Sequence, residues 1–342
     1  MLTVINDLHL GVSRSAGTTP ASQQELRAGL LAGFRQLLLQ TGHQDLMILG
    51  DLFDTERVPE ADLYDAFLSL HSWLTVSEGS TLYLVAGNHD LSKSSDKFSS
   101  FQLLGKFLTA FWGERIKVVE QPLMTPYGYI IPHLPNQALF DLELSRVPRC
   151  NTLFLHCNYD NNFAVESDQS LNLSADVAET LDCDHILIAH EHQMRKIGTR
   201  VLIPGNQLPS SVSDCLRTDA KYYTEVSMGG APDLIKLADV QDVLLSRQDW
   251  KDLQVNSCPF VRVEGHATPD EAASVVERIS RYRASSPALV VSNAVEIESQ
   301  DASEDFAKTL ESVKVFDVLA ALKEILSADE FAVVETVMSN SS

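Results

Sequence analysis

The chain has 342 residues, a formal net charge of −21 and an apolar fraction of 44%, a profile that fits a globular protein of one large domain or two or three smaller ones. No apolar run reaches the roughly 18 residues of a membrane span, and Leu2–Ile5 reads as a core strand instead of a secretory leader. Five cysteines, at 150, 157, 183, 215 and 258, lack any CxxC spacing, which argues for a reducing compartment and against a disulfide framework or a cysteine-rich zinc site.

Leu2–Ile5 opens the chain as a short strand. Ser22-Gln-Gln-Glu25 reads as a capping box opening a helix, with Leu26, Leu30, Phe34, Leu37 and Leu38 on one face and an end near Gly42. Leu46–Leu49 is a second buried strand. Pro59 suits the first turn of another helix, with Leu63, Phe67, Leu70 and Leu74 at helical spacing. Leu82–Ala86 is a third strand. Strand, helix, strand, helix, strand implies parallel pairing in an α/β sheet. A helix follows over Phe98–Trp112, and then strand-like pieces at Ile116–Val119, Tyr127–Ile131, Thr152–His156, His185–Ala189, Arg200–Ile203 and Tyr222–Val226. The pattern restarts near residue 255. Phe260–Glu264 is a strand, Thr268-Pro-Asp-Glu271 is a capping box before a helix to about Arg283, and Ala288–Ile297 is a strand. Glu298–Asp305 reads as an acidic linker. Two helices close the chain, one carrying Phe306 to Ile325 in phase and the other opening at Ser327-x-x-Glu330.

Polar groups sit at the C-terminal ends of these strands. Asp7 and His9 lie in "NDLHLG", Asp51 in "LGDLFD", and Asn88, His89 and Asp90 in "AGNHD". His156 closes "TLFLHC", and His190 and His192 lie in "AHEHQ". In an open α/β sheet the carboxyl edge is where ligands bind, so residues distant in sequence can meet there. Imidazole, carboxylate and amide together suit borderline divalent ions such as Mn, Fe or Zn. The ligands are too many for one tetrahedral ion and fit two ions sharing a carboxylate. Any one of these histidines alone is ordinarily a structural residue, and Gly-Asn is also a common turn. Five such groups in order, each directly after an apolar strand, are poorly explained by chance. The remaining histidines, 43, 71, 133, 185 and 266, fall in no such pattern and read as structural or surface residues.

D-x-H, GD-x-x-D, GNHD, a lone His after a strand and H-x-H, in that order, resemble the motifs of the calcineurin-like metallophosphoesterases. "DLHLG" and "GDLFD" resemble the SbcD-type DNA nuclease branch, which includes nuclease subunits of double-strand-break repair complexes and of large phages. "IPGNQLPSSVSD" at 203–214 is similar to the loop after the last motif in those nucleases, and "HCNYDNNF" is closest to the phage members. The likeness is strongest over residues 1–210. It implies a two-sheet α/β sandwich core over 1–250, a small β-α-β DNA-capping domain over 255–298, and C-terminal helices over 304–340 that bind an SbcC-like coiled-coil ATPase.

By the same resemblance, Asp7, His9 and His192 hold a first divalent ion and Asn88, His156 and His190 a second, with Asp51 bridging. The ions are most expectably Mn, with Mg a poorer substitute, and together they clamp a scissile phosphate and acidify a water. His89 faces the substrate as general acid or leaving-group stabiliser. Asp90 orients His89 or its loop, and Gly87 allows a tight turn. Arg195 and Lys196 are candidates for contact with the phosphate backbone. Ala189 stands where the family usually has Gly.

The acidic total argues against a broad basic surface that grips nucleic acid unaided. Two ions add about four positive charges where phosphate binds, and a partner ATPase would supply the remainder. The implied function is a Mn-dependent DNA exonuclease or endonuclease in an SbcCD-like repair or recombination complex. It would be cytoplasmic (host cytoplasm if phage-encoded), without a membrane, and homodimeric through nuclease-domain helices, for which the amphipathic helices at 22–40 and 60–74 are the candidates unless they only cover the sheet. Two alternatives stand beside it: a calcineurin-like phosphoesterase acting on nucleotides or phosphoproteins, and a scaffold that kept the fold without the chemistry.

Overall fold

In a computed structural model the described residues are 1–12, 20–92, 97–161, 170–208, 210, 214, 220–237, 245–256, 258, 260–288 and 290–298. The helices and ATPase contact expected over 304–340, and most of the linker before them, lie outside these residues. The chain divides into two units, Met1–Gly265 with Val276–Val295, and His266–Val275 with Glu296–Ser342.

The first unit is built on two six-stranded sheets. In the first sheet, β1 (Leu2–Ile5), β2 (Asp45–Leu49), β3 (Leu82–Val85) and β4 (Ile116–Val119) run parallel, and β13 (Tyr222–Val226) and β14 (Asp233–Lys236) add antiparallel at the β1 edge. The helices α1 (Pro20–Gln40), α2 (Glu60–Val76) and α3 (Ser100–Trp112) fall between these parallel strands in sequence. In the second sheet, β6 (Gly128–Ile131), β7 (Cys150–His156), β10 (Cys183–Ala189) and β12 (Val201–Ile203) are parallel. They are flanked by antiparallel β5 (Leu123–Thr125) and β11 (Arg195–Ile197), with α4 (Gln137–Leu144) and α5 (Ala175–Thr180) in the connections, and β8 (Asn158–Tyr159) and β9 (Asn172–Leu173) pair as a separate two-stranded piece.

Alternation along the strands sets the layers, because successive side chains point to opposite faces. Leu46, Ile48, Leu82 and Leu84 pack with Leu30, Phe34, Leu70 and Phe101 of the three helices. Met47, Leu49, Tyr83 and Val85 turn the other way and meet Phe154, Leu187 and Ala189 of the second sheet. The neighbours of those last residues, Leu153, Leu155, Ile186 and Ile188, pack outward with Phe140 and Ala178. The result is a sandwich of helices, sheet, sheet and helices. Strands buried on both faces read as continuous apolar runs, which is why the sequence marks them clearly.

Local differences from the sequence reading have identifiable causes. The helix α1 begins at Pro20, so Ser22 lies inside it and does not cap it; a proline suits a first helical turn better than a serine two residues later. Pro59 is the residue before α2 and holds an extended ψ of 141° there. The helix expected over Phe98–Trp112 opens at a capping box the sequence reading did not single out: Ser99 Oγ accepts from the Gln102 N–H at 3.2 Å and Gln102 Oε1 accepts from the Ser99 N–H at 3.1 Å. The strand expected over 288–297 is broken, because Asn293 Oδ1 accepts the Val295 N–H at 3.1 Å and ends β18 (Val290–Asn293) in a side-chain turn. β18, β16 (Phe260–Glu264) and β15 (Leu245–Asp249) form a small parallel sheet, and α6 (Ala272–Ser285) lies between β16 and β18 in sequence. In the second unit, β17 (His266–Ala267) pairs with β19 (Glu296–Ile297), and Thr268 and Glu271 cap each other reciprocally.

Candidate metal centre

The chain does not turn away at once where β1 and β2 end. Asp7 N–H donates to Gly50 O (3.1 Å), His9 N–H to Asp51 O (3.0 Å), Leu10 N–H to Leu52 O (2.9 Å) and Asp54 N–H to Leu10 O (3.1 Å). This ladder carries left-handed steps at Asp7 (φ 51°), His9 (φ 47°) and Asp51 (φ 50°), and His190 after β10 has φ 92°. Among the described residues only Asp160 joins them as a non-glycine residue at positive φ. Such backbone costs about 1–3 kcal/mol per residue and persists where the surroundings over-determine it, characteristically at functional sites. Two glycines make room. A Cβ at Gly50 (φ +82°) would lie 2.0 Å from His156 Nδ1, and one at Gly87 would lie 2.2 Å from Asp51 Oδ1. Gly87 is not in the left-handed region, so its role is close approach to Asp51 and not the tight turn expected from sequence.

The strand ends bring the sequence-derived residues together. Ligand atoms of Asp7, His9 and His192 lie within 4.8 Å of one another, as do those of Asp51, His156 and His190. His9 Nε2 and His192 Nε2 are 3.1 Å apart. Two nitrogens bound at right angles, each about 2.1 Å from one ion, lie about 3 Å apart. In the second group His156 Nε2 is 3.0 Å from Asn88 Oδ1. Asp51 faces both groups: its Oδ2 lies 3.4 Å from His156 Nε2 and 4.0 Å from His9 Nε2.

The donor set fits cations. Asp7 and Asp51 are buried, and neither pairs with a lysine or arginine among the described residues. Asp7 Oδ2 accepts from Asn6 Nδ2 (2.6 Å) and the His190 N–H (2.9 Å), while Asp7 Oδ1 is buried with no hydrogen-bond partner. Isolated buried carboxylates are costly unless positive charge offsets them. Without an ion the imidazoles supply it. Burial opposes a charge on His156, but the Asp51 and Asp7 carboxylates outweigh it and push His156 up to about 9. His9 is raised against burial by Asp54, Asp51 and Asp7. Asp51 is held well below the carboxylate range, also against burial, chiefly by His156. His190 goes the other way: burial and the charge on His156 bring it down to about 4, which leaves it neutral and able to ligate.

His89 Nδ1 lies 2.5 Å from the backbone carbonyl of Asp54, and the backbone N–H of His89 donates to Asp51 Oδ1 at 3.0 Å. A carbonyl only accepts, so the ring proton sits on Nδ1 and Nε2 is the exchangeable position. The ring stands edge-on to His9 with centroids 5.1 Å apart. Asp90 is buried and accepts from the N–H groups of Gly87 (3.0 Å), Phe53 (3.1 Å) and Leu52 (3.4 Å), which ties the third loop to the second. Burial, then Asp51, pushes Asp90 up to about 7.

Arg195 heads β11, where its guanidinium donates to Glu191 Oε2 and, at 3.4 Å, to Tyr159 O. Its charge is thus paired inside the last motif, while Lys196 is exposed. Ala189 closes β10 in the sheet, outside the left-handed region, so glycine is not required there. Two neighbours of the ligands were given no role from the sequence, although Asp54 closes the GD-x-x-D motif. Asp54 lies 3.5 Å from His9 Nδ1, and Asp214 Oδ1 is 3.1 Å from His192 Nδ1. His133 donates its N–H to Ala86 O at 2.9 Å, and burial, then the charge on His156, brings it down to about 4. His133 follows β6 in "IIPH", the same strand-then-histidine signal that marked the others.

No curated protein matches the chain significantly. The family model for calcineurin-like phosphoesterases matches residues 1–194, a span that ends just after His192 and holds all seven candidate ligands. That match covers more than half of the chain, and the chain belongs to the calcineurin-like phosphoesterase family.

Proposed function

We propose that this chain is a metal-dependent DNA nuclease that hydrolyses phosphodiesters with two divalent ions, expectably Mn. The observation that carries the hydrolytic part is Asp51 Oδ2 facing His156 and His9 from between two ligand groups, with His89 alongside. Bound there, two divalent ions supply Lewis acidity to the phosphate and an acidified water. Asp7, His9 and His192 would hold one, Asn88, His156 and His190 the other, and Asp51 both. His89 holds a proton on Nδ1 against Asp54 and presents Nε2 to the leaving oxygen. Asp90 keeps the loop under His89 in place.

DNA as substrate is supported by "DLHLG", "GDLFD" and "IPGNQLPSSVSD", and by the strand-helix-strand unit after residue 255, which we assign as a DNA-capping domain over 255–298. Action in an SbcCD-like complex with a coiled-coil ATPase, through residues 304–340, is part of the same proposal, as is a cytoplasmic setting. The described cysteines are free, and no described helix is long and apolar enough to cross a membrane. A homodimer through α2 and α3 is supported by the exposed Tyr64, Phe107 and Phe111 there, with Phe67 and Phe111 ring centroids 5.6 Å apart. Phe111→Glu is expected to halve the mass seen by sedimentation if this face pairs; an unchanged mass places the contact elsewhere.

The deciding assay offers linear duplex and single-stranded DNA with Mn²⁺, with the ATPase and ATP present or absent. Degradation in Mn²⁺ supports the proposal. Loss of nucleotides or phosphopeptide phosphate far faster than DNA cleavage assigns a small-molecule or protein phosphoesterase instead.

A further inference from the structure

Far from the candidate metal centre, two thiols share a rung of the second sheet. Cys150 and Cys183 open β7 and β10 and are register partners on these adjacent parallel strands. Side chains of directly opposed residues point to the same face. Neighbouring strands run about 4.7–4.9 Å apart, within the roughly 4.4–6.8 Å between Cα atoms that a disulfide spans. The two thiols therefore face the same side of adjacent strands on one rung, and both are reduced.

The surrounding charges hold the pair together and polarise it. Arg149, next to Cys150, reaches across the strands to Asp182 (3.2 Å) and Asp184 (2.7 Å), which flank Cys183. Arg200 donates from Nη2 to Cys183 Sγ at 3.5 Å and from Nε to Cys183 O at 3.2 Å. The hydrogen bond from Cys150, then Arg200, brings Cys183 down to about 7 against burial and Asp184. Cys150 is pushed up, first by its bond to Cys183 and then by burial, despite Arg149. The two sulfurs thus differ in role: the Arg200 guanidinium at 3.5 Å favours the thiolate of Cys183, while Cys150 holds its proton. A thiolate beside an arginine is the reactive form of cysteine.

We propose that Cys150 and Cys183 form a redox-active dithiol in which a hydroperoxide oxidises Cys183 and Cys150 closes a disulfide across β7 and β10. The Cys183 thiolate attacks the terminal peroxide oxygen, the O–O bond breaks, and hydroxide leaves and takes a proton from solvent. Cys183 is then a sulfenic acid. The Cys150 sulfur attacks that sulfur, the S–S bond forms, the S–O bond breaks, and the departing hydroxide takes the Cys150 proton. Two thiols give up two electrons and two protons, and hydrogen peroxide becomes two waters. A dithiol reductant reverses the exchange. Only 5% and 8% of the two residues is exposed, which favours a small oxidant over a bulky one. The seven-residue strands place the pair about 20 Å from His156 and His190 at their other ends, so this chemistry is independent of the phosphoesterase reading.

The test treats the reduced full-length protein with hydrogen peroxide, alkylates it under denaturing conditions and maps the peptides by mass. The expected result is a crosslink between the peptides of Cys150 and Cys183, with free thiols falling from five to three and returning with dithiothreitol. In Cys150→Ser, dimedone is expected to trap Cys183 without a crosslink. In the wild type, loss of the Cys183 thiol should level off above about pH 7, where an ordinary thiol keeps accelerating to about pH 8.5. Full alkylation of both residues after oxidation, or a crosslink joining other cysteines in their place, overturns the proposal. The wild-type map decides the question even if the serine variant does not fold.

Discussion

Asp51 serves two ends at once. Its Oδ1 fixes the backbone N–H of His89, and its Oδ2 faces imidazoles from both ligand groups. Asp51→Asn keeps the shape and removes the charge. It is expected to weaken metal binding by at least the roughly 10–100-fold typical of losing a ligand's supporting partner, read by calorimetric titration with Mn²⁺. His89 gives a contrasting outcome. His89→Gln should cut hydrolysis of single-stranded DNA, whose alkoxide leaving group needs a proton, about 10²–10⁴-fold while bound metal, counted by elemental analysis, stays the same. If metal falls with activity, His89 is a ligand and its assigned role is wrong. At this scale the sequence was informative because each group of candidates follows closely on an apolar run. His133 carries the same signal after β6 but sits outside the ordered motifs, and it joins none of the ligand groups found among the described residues. Asp214 was invisible for another reason: its tie to His192 depends on a loop returning from 22 residues away.

The elements that mattered most were the easiest to read. β1, β2 and β3 are apolar on both faces, so their positions follow from composition alone. Short edge pieces such as β5, β11 and β14 bury little and left no comparable mark. The loops between strand and helix could be located in sequence, but their left-handed backbone at Asp7, His9 and Asp51 could not, since no glycine announces it. The two kinds of glycine separate cleanly by experiment. Gly87→Ala drives a Cβ into Asp51 and is expected to lower stability by about 1–3 kcal/mol, with loss of metal binding as well. Gly79→Ala meets nothing within 4 Å and is strained only by its φ of +80°, so it should cost about 1–2 kcal/mol and leave metal binding intact. Denaturant melts with and without Mn²⁺ distinguish the two; equal metal affinity in both variants would refute the close-approach account of Gly87.

Across the whole molecule, charge and metal are linked. A chain of net charge −21, in which the buried Asp7 and Asp51 pair with no lysine or arginine among the described residues, is stabilised by any cation that binds the folded state alone. At a free Mn²⁺ concentration of 100 Kd the gain is about 2.7 kcal/mol. Chelation should therefore lower the Tm, and Mn²⁺ added back should restore it; a Tm indifferent to chelator would mean the carboxylates are satisfied otherwise.

The ligands are also divided between layers. Asp7, His9, Asp51 and Asn88 rise from one sheet, and His156, His190 and His192 from the other. Neither sheet alone can complete a coordination sphere, so the ions would act as rivets through a seam otherwise held by greasy contacts around Phe154 and by hydrogen bonds such as those from His190 N–H to Asp7 Oδ2 and from Tyr127 Oη to Asp45 Oδ2. A folding intermediate with one layer formed would capture no pair of ions. Uptake of the metal would then be among the last events of maturation, and its release among the first signs that the halves are parting.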